Sequence, residues 1–250
     1  ERPIPISLKG WLFAAQHFDL TNGGFGLRTG KDTLPRLNTV NFKAMNVEDI
    51  NISISNLVYG SNDTVSGHID RLSAKERSGL EVSSATGFVL LSPNKLELSD
   101  LKLSTPNSRS EDYIAFKYPS LRCFSDFINQ VKLDVRLTPK SYFTLSDIAY
   151  FVGSLHKEKT IVKHLNKRIN ISGKAKNEVS RLSAEGIVLQ MGKTYFKGDV
   201  RMRGLPDFQS TNIDAKITTL RTDINEVKSY LPPSVKLPPE LDKLGNIQFS

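Results

Sequence analysis

The chain has 250 residues but only one cysteine, Cys123, and one tryptophan, Trp11. A lone cysteine excludes an intrachain disulfide and a cysteine-based metal cluster. Its setting, Leu121-Arg122-Cys123-Phe124, reads as a buried structural thiol rather than a nucleophile. The missing disulfide fixes no compartment, since many exported proteins have none. No apolar run reaches the length of a membrane-crossing helix, and no signal peptide is recognisable. The four histidines, His17, His68, His156 and His164, do not stand at metal-ligand spacing with a matching carboxylate. Gly23-Gly24-Phe25-Gly26 lacks the Lys-Ser/Thr of a phosphate loop and reads as a link between strands, and no Gly-x-Ser-x-Gly elbow occurs. Asp126, Asp134 and Asp147 read as helix caps or solvated strand positions. The expectation is a protein with no catalytic residue, no metal and no cofactor.

Charge gives less direction than its total suggests. The net charge is +8, which favours acidic partners. Yet the cations are scattered and often sit beside acids, as in Lys75-Glu76-Arg77 and Lys157-Glu158-Lys159. The densest basic spots, Asn166-Lys167-Arg168 and Lys174-Ala175-Lys176, have no interleaved aromatics on which bases could stack. Nucleic acid is therefore not an expected partner.

What the chain has in quantity is alternation. In Val47 to Leu57, Ile50, Ile52 and Ile54 alternate with Asn51, Ser53 and Ser55. From Ser66 to Ser108 short alternating strands follow one another between Gly, Ser, Asn and Pro turns, with Asn62-Asp63 as the turn before them. At Leu98-Ser99-Asp100-Leu101 the alternation slips by one residue, the mark of a bulge or tight turn. Leu133, Val135 and Leu137 lead to a stop at Thr138-Pro139, and Ile169 with Ile171 form a strand closed at Gly173. Further strands hold Ile187 and Leu189, then Phe196, Val200 and Met202, then Ile213, Ala215 and Ile217. Three short helices are expected: Asp126 to Lys132 capped by Ser125, Asp147 to Ser154 capped by Thr144 or Ser146, and Asp223 to Tyr230 capped by Thr222. A loose echo between the Leu72-Ser73-Ala74 and Leu182-Ser183-Ala184 passages suggests a repeating sheet.

The expected organisation has N-terminal strands at 1–45, a β-repeat segment at 46–140, and a helical or loop interruption at 141–165. A second β-repeat segment at 166–221 and a short helix, Pro-rich linker and new strand at 222–250 complete it. The chain lacks an initial Met and stops within an alternating strand, which suggests a segment of a longer protein. With no chemistry on the polar side, attention falls on the apolar face. If the sheet forms an uncovered trough, that face needs an apolar occupant such as a lipid acyl chain. Alternation alone favours the plainer alternative, a closed sandwich whose strands pack on each other.

Leu72-Ser73-Ala74-Lys75-Glu76-Arg77-Ser78-Gly79-Leu80, the Leu96-to-Leu103 strand pair and the Ser104-Thr105-Pro106-Asn107-Ser108 closure resemble the repeat region of TamB/AsmA-like proteins of Bacteroidetes type. Tyr230-Leu231-Pro232, Leu237-Pro238-Pro239-Glu240-Leu241 and Leu244-Gly245-Asn246-Ile247-Gln248-Phe249 are similar to that family's linker-and-strand passages. The resemblance covers most of residues 45–250. It implies an all-β fold: an elongated, curved, mainly antiparallel sheet, a β-taco with an open groove and a few short helices. It further implies a periplasmic segment of a parent anchored in the inner membrane, belonging to the bridge-like lipid transfer proteins. The groove would shield phospholipid acyl chains in transit between inner and outer membranes. An Omp85-type outer-membrane partner would bind regions outside this segment. Asp32-Thr33-Leu34 and Asp63-Thr64-Val65 resemble short O-glycosylation acceptors of those bacteria.

The expected groove lining is Ile50, Ile52, Ile54, Phe88, Leu90, Leu96, Leu98, Leu133, Val135, Leu137, Ile169, Ile171, Phe196, Val200 and Met202, chosen by apolarity alone, with surplus Lys and Arg meeting anionic headgroups at the rim. The alternatives are a scaffold of the same fold that aids outer-membrane protein assembly without carrying lipid and, third, a carbohydrate-binding β-sandwich.

Overall fold

A computed structural model of the chain describes residues 12–28, 38–152, 155–156, 159–205, 207, 210–230, 240 and 245–249. Trp11, the Asp32-Thr33-Leu34 acceptor and most of the Pro-rich linker lie outside them. The fold is all-β: thirteen strands in one antiparallel sheet, with a few short helices. The strands are β1 (Phe13–Arg28), β2 (Ala44–Gly60), β3 (Thr64–Glu76), β4 (Glu81–Ser92), β5 (Lys95–Ser104), β6 (Arg109–Lys117) and β7 (Lys132–Leu137). After them come β8 (Tyr142–Thr144), β9 (Arg168–Glu178), β10 (Ser183–Met191), β11 (Thr194–Arg203), β12 (Asn212–Asp223) and β13 (Asn246–Phe249). The helices are α1 (Phe127–Gln130), α2 (Leu145–Phe151), α3 (Lys159–Val162) and α4 (Ile224–Tyr230).

Spatial order follows chain order from β1 to β13 except at one place. There β7 and β8 occupy a single slot between β6 and β9, so they are one strand interrupted at 138–141. Ser141 bridges the break. Its hydroxyl accepts from the Glu111 N–H at 3.0 Å, and its carbonyl accepts from the Ile171 N–H. Among the described residues β1 and β13 do not pair, so the sheet is not a closed barrel, and no second sheet is present. A sandwich needs two.

The odd spacings in the sequence are bulges. Apolar residues fall three apart at Ile54/Leu57, Ile69/Leu72, Val82/Ala85, Leu98/Leu101, Ala184/Ile187 and Ile217/Leu220, and each step spans a register shift. An extra residue in one strand restores the phase, so the apolar side chains return to the same face while the strand bends and twists more. Asn56, Asp100 and Gly186 absorb three of these steps with φ of 52°, 50° and 58°, a conformation open mainly to Asn, Asp and Gly. The slip at Ser99-Asp100 is thus a bulge, and β5 runs through it.

Several local expectations need correction. Gly23 to Gly26 lies inside β1 and is not a link between strands. Gly173 does not close a strand: β9 continues to Glu178, with Gly173 at φ +126° facing the β10 bulge. Helix 126–132 is a 3-10 turn over Leu121–Asp126 followed by the single turn α1, because the Ser125 hydroxyl donates back to the Arg122 carbonyl and caps nothing. Thr144 does cap α2, accepting from the Asp147 N–H. Thr222 stays in β12, its hydroxyl 2.7 Å from that of Thr194, and Asp223 takes the cap role, accepting from the Asn225 N–H at 2.9 Å.

Candidate functional site

Directly paired residues share a face of a sheet, so the register separates the two faces. One row crosses nine strands: Gly67, Val89, Leu98, Ile114, Val135, Ala175, Ala184, Val200, Ala215. At about 4.8 Å per step it runs for roughly 40 Å without a polar side chain. A second row on this face joins Val65, Leu91, Leu96, Phe116 and Leu133; a third joins Ile171, Leu189, Phe196, Leu220 and Phe249. The opposite face, from β5 onward, carries rows such as Glu97, Ala115, Asp134, Lys176, Ser183, Arg201, Asp214. Its charges pair along and across strands: Lys95 with Glu97 within β5, Lys117 with Asp134 at 3.7 Å, and the Arg136 guanidinium 4.4 Å over the Tyr113 ring.

Of the expected lining residues, Ile52, Ile54, Leu96, Leu98, Leu133, Val135, Leu137, Ile169, Ile171, Phe196, Val200 and Met202 fall on the apolar face, with Ile50 beside the Asp49 bulge of β2. Phe88 and Leu90 do not share that face. Phe88 is opposite His68 and Ser99, and Leu90 is opposite Ser66 and Glu97. Their neighbours Val89 and Leu91 take the apolar positions instead. The physical reason is the two-residue turn at Pro93-Asn94, which sets Leu91 against Leu96.

The apolar face is covered unevenly. Over the β5–β7 end, Phe116 of the sheet meets Phe124 and Phe127 at ring-centroid distances of 6.4 and 5.8 Å. Phe42 stacks on Phe127 at 5.1 Å and lies 6.4 Å from Phe151 of α2. Beneath them Tyr118, Cys123 and Val131 are buried, so the cysteine is structural as expected. Burial raises the pKa of Tyr118; burial and then the Asp147 carboxylate raise that of Tyr150. Across β9–β12 no comparable aromatic cluster is found among the described residues: Ala184 and Ile187 of β10 are buried, but Ile213 is 60% and Ile217 40% exposed.

The polar groups considered for chemistry are accounted for otherwise. Asp126 accepts from Asn129 and Gln130, and Asp147 is buried and accepts the Thr105 hydroxyl. His68 is on the polar face, 3.3 Å from Asp70, and His164 packs edge-on against Tyr230 at 4.7 Å. Among the described residues no three His, Cys, Asp or Glu side chains gather as a metal site, and no helix is long and apolar enough to cross a membrane. Of the acceptor-like sequences, Asp63-Thr64-Val65 lies at the turn into β3.

No protein-family model matches the chain, and neither a curated protein nor a solved structure is significantly similar to it.

Proposed function

We propose that this chain is a non-enzymatic lipid-shielding segment whose apolar sheet face carries phospholipid acyl chains, as the TamB/AsmA-like resemblance implies. The observation that carries the reading is the nine-strand apolar row on a sheet over which the described residues place no second β layer. Such a face is costly in water, and each methylene it takes from solvent contributes roughly 0.8 kcal/mol. An acyl chain of about fifteen methylenes gains on the order of 12 kcal/mol before the cost of immobilising it. A row of roughly 40 Å exceeds the length of one such chain, so several lipids could be held in file. In this reading the parent is anchored in the inner membrane, the segment stands in the periplasm, and an Omp85-type partner binds elsewhere on the parent.

The test is photo-crosslinking in a lipid-containing envelope with the probe at Val135 or Val200, against Asp134 or Glu97 on the other face. Capture of phospholipid from the first pair and not the second is the expected result. Equal capture from both, or none from either, removes the reading. The scaffold alternative draws support from the aromatic cover over β5–β7, which interrupts the bare face; it predicts that native mass spectrometry of the gently purified chain finds no bound phospholipid.

A further inference from the structure

We infer that the sheet carries a binding site for a phosphate group at one rim, where β7 and β10 begin and β9 and β11 end. The site deepens the lipid reading and rests on it for the source of the phosphate. A cavity of about 460 Å³ opens there between Lys132, Arg181, Arg201 and Arg203, with Glu178 as the one carboxylate in its wall. The register explains the gathering: Lys132 is opposite Glu178, and Arg201 is opposite Ser183. The strand ends are then stitched to the 3-10 turn Val179–Arg181, Met202 N–H donating to the Leu182 carbonyl and Gly204 N–H to that of Ser180. Glu178 is buried and lies 3.4 Å from the Arg181 guanidinium, so it anchors that arginine, and four cations share one carboxylate within the wall. A further acid, Asp214, is opposite Arg201 in an adjoining cavity of about 220 Å³.

The chemistry selects phosphate. Planar guanidinium groups present forked donors that match phosphate oxygens two at a time, and a lysine adds a point charge. The cavity is also at the right place. Strand ends are the rims of a trough whose axis runs across the strands, and Met202, which shares the apolar face with Ile213, lines the same cavity as the arginines. An acyl chain on the apolar face and its phosphate at the rim are thereby within one molecule's reach. The second large cavity, about 410 Å³ beside β1–β4, makes the contrast. Its walls hold Asp49 and Glu81 against the single Lys75, which pairs with Asp49 at 3.6 Å.

The experiment is calorimetric titration of the whole chain with three probes: dihexanoyl-phosphatidylglycerol below its micellar concentration, the water-soluble glycerophosphoglycerol headgroup, and inorganic phosphate. The chain is compared with Arg201→Gln/Arg203→Gln, with Lys132→Gln, and with Lys75→Gln as the control at the other cavity. All these side chains are exposed, and circular dichroism verifies that each variant folds. The expected result is that the short lipid binds at least tenfold more weakly to the double variant, several-fold more weakly to Lys132→Gln, and unchanged to Lys75→Gln, with added salt weakening the wild-type interaction. Equal affinity of all variants for every probe overturns the site. Inorganic phosphate or headgroup binding as tightly as the lipid, with the same losses, keeps a phosphate site but overturns the lipid as its source. Failure of the acyl-chain reading is separate: it shows as no crosslink at Val200 while the arginine variants still lose headgroup affinity.

Discussion

The β5–β7 stretch and the β9–β12 wing are built from the same alternating sequence, yet only the first carries an aromatic cover. In the covered stretch Phe42, Phe124, Phe127 and Phe151 gather over Phe116, and Val131 is wholly buried. In the wing Val200 and Ala215 continue the nine-strand row, with Ile217 on the same face opposite Gly198, and no aromatic cluster lies over them among the described residues. The difference teaches that stability and binding are divided along the sheet. One stretch supplies a packed core that holds the sheet together; the other keeps apolar surface available at β12, where Ile213 and Ile217 stay exposed, although Ala184 and Ile187 of β10 are buried.

Four substitutions break or sharpen that division. The largest effect is expected at Val131→Asp, which leaves an unpaired charge in the covered core and costs about 3 kcal/mol or more; a urea midpoint within experimental error of wild type would show that the cover carries no stability. Next is Gly173→Val in the wing. With φ at +126° and its would-be Cβ 2.8 Å from the Gly186 carbonyl oxygen, it should cost about 2 kcal/mol through backbone strain at the bulge. Thermal melts check this, and an unchanged midpoint means the bulge relaxes freely. Ile217→Asp, on the bare part of the wing, should move stability by less than about 1 kcal/mol while abolishing lipid capture from a probe at Val200. If it unfolds the protein instead, the wing is core after all.

The smallest effect concerns the Lys193–Asp223 pair, 2.8 Å apart beside the β10–β11 turn. The lysine's hydrogen bond, then the Asn225 N–H, holds the Asp223 carboxyl below its ordinary pKa, and the same bond raises that of Lys193. The Asp223 contribution is therefore present above the ordinary carboxylate range and lost as pH falls through its lowered folded value. That of Lys193 is present below the ordinary lysine value and lost as pH rises through its raised one. Asp223→Asn should thus differ slightly from wild type in melting temperature at neutral pH and converge with it in acid; a constant difference across that range removes the pair as the cause.

Much of this architecture is legible in the sequence. Period-two alternation marks strands β2 to β5, β7 and β9 to β12, while β6, with Tyr113, Ile114, Ala115 and Phe116 in one run, carries no such mark. The Ser99-Asp100 slip marks a bulge, because alternation and slip are local properties of an extended chain. The phase of β4 is not legible from its own residues. Phe88-Val89-Leu90-Leu91 is apolar on both parities, and a continuous run carries no face. The information lies in the turn: counting outward from Pro93-Asn94 sets Leu91 against Leu96 and Val89 against Leu98. Two things lie beyond local reading. Phe42 meets Phe127 across 85 residues of sequence, and the rim cations come from two separate strands and a connecting turn. No spacing rule announces either.

The shared slot of β7 and β8 has a consequence for how the chain folds. Outside that slot each strand pairs with its immediate predecessor, so hairpins can be added one after another as the polypeptide emerges, most of them closing a short loop. The β7–β9 junction is different: Lys132 must find Glu178 after the chain has passed through β8, α2 and α3. This makes it the slow seam between two fast-zippering halves. Pulse-labelling hydrogen exchange should see amides of β2–β6 and β10–β12 protected before those shared by β7 and β9, with the Ser141 bridge closing last.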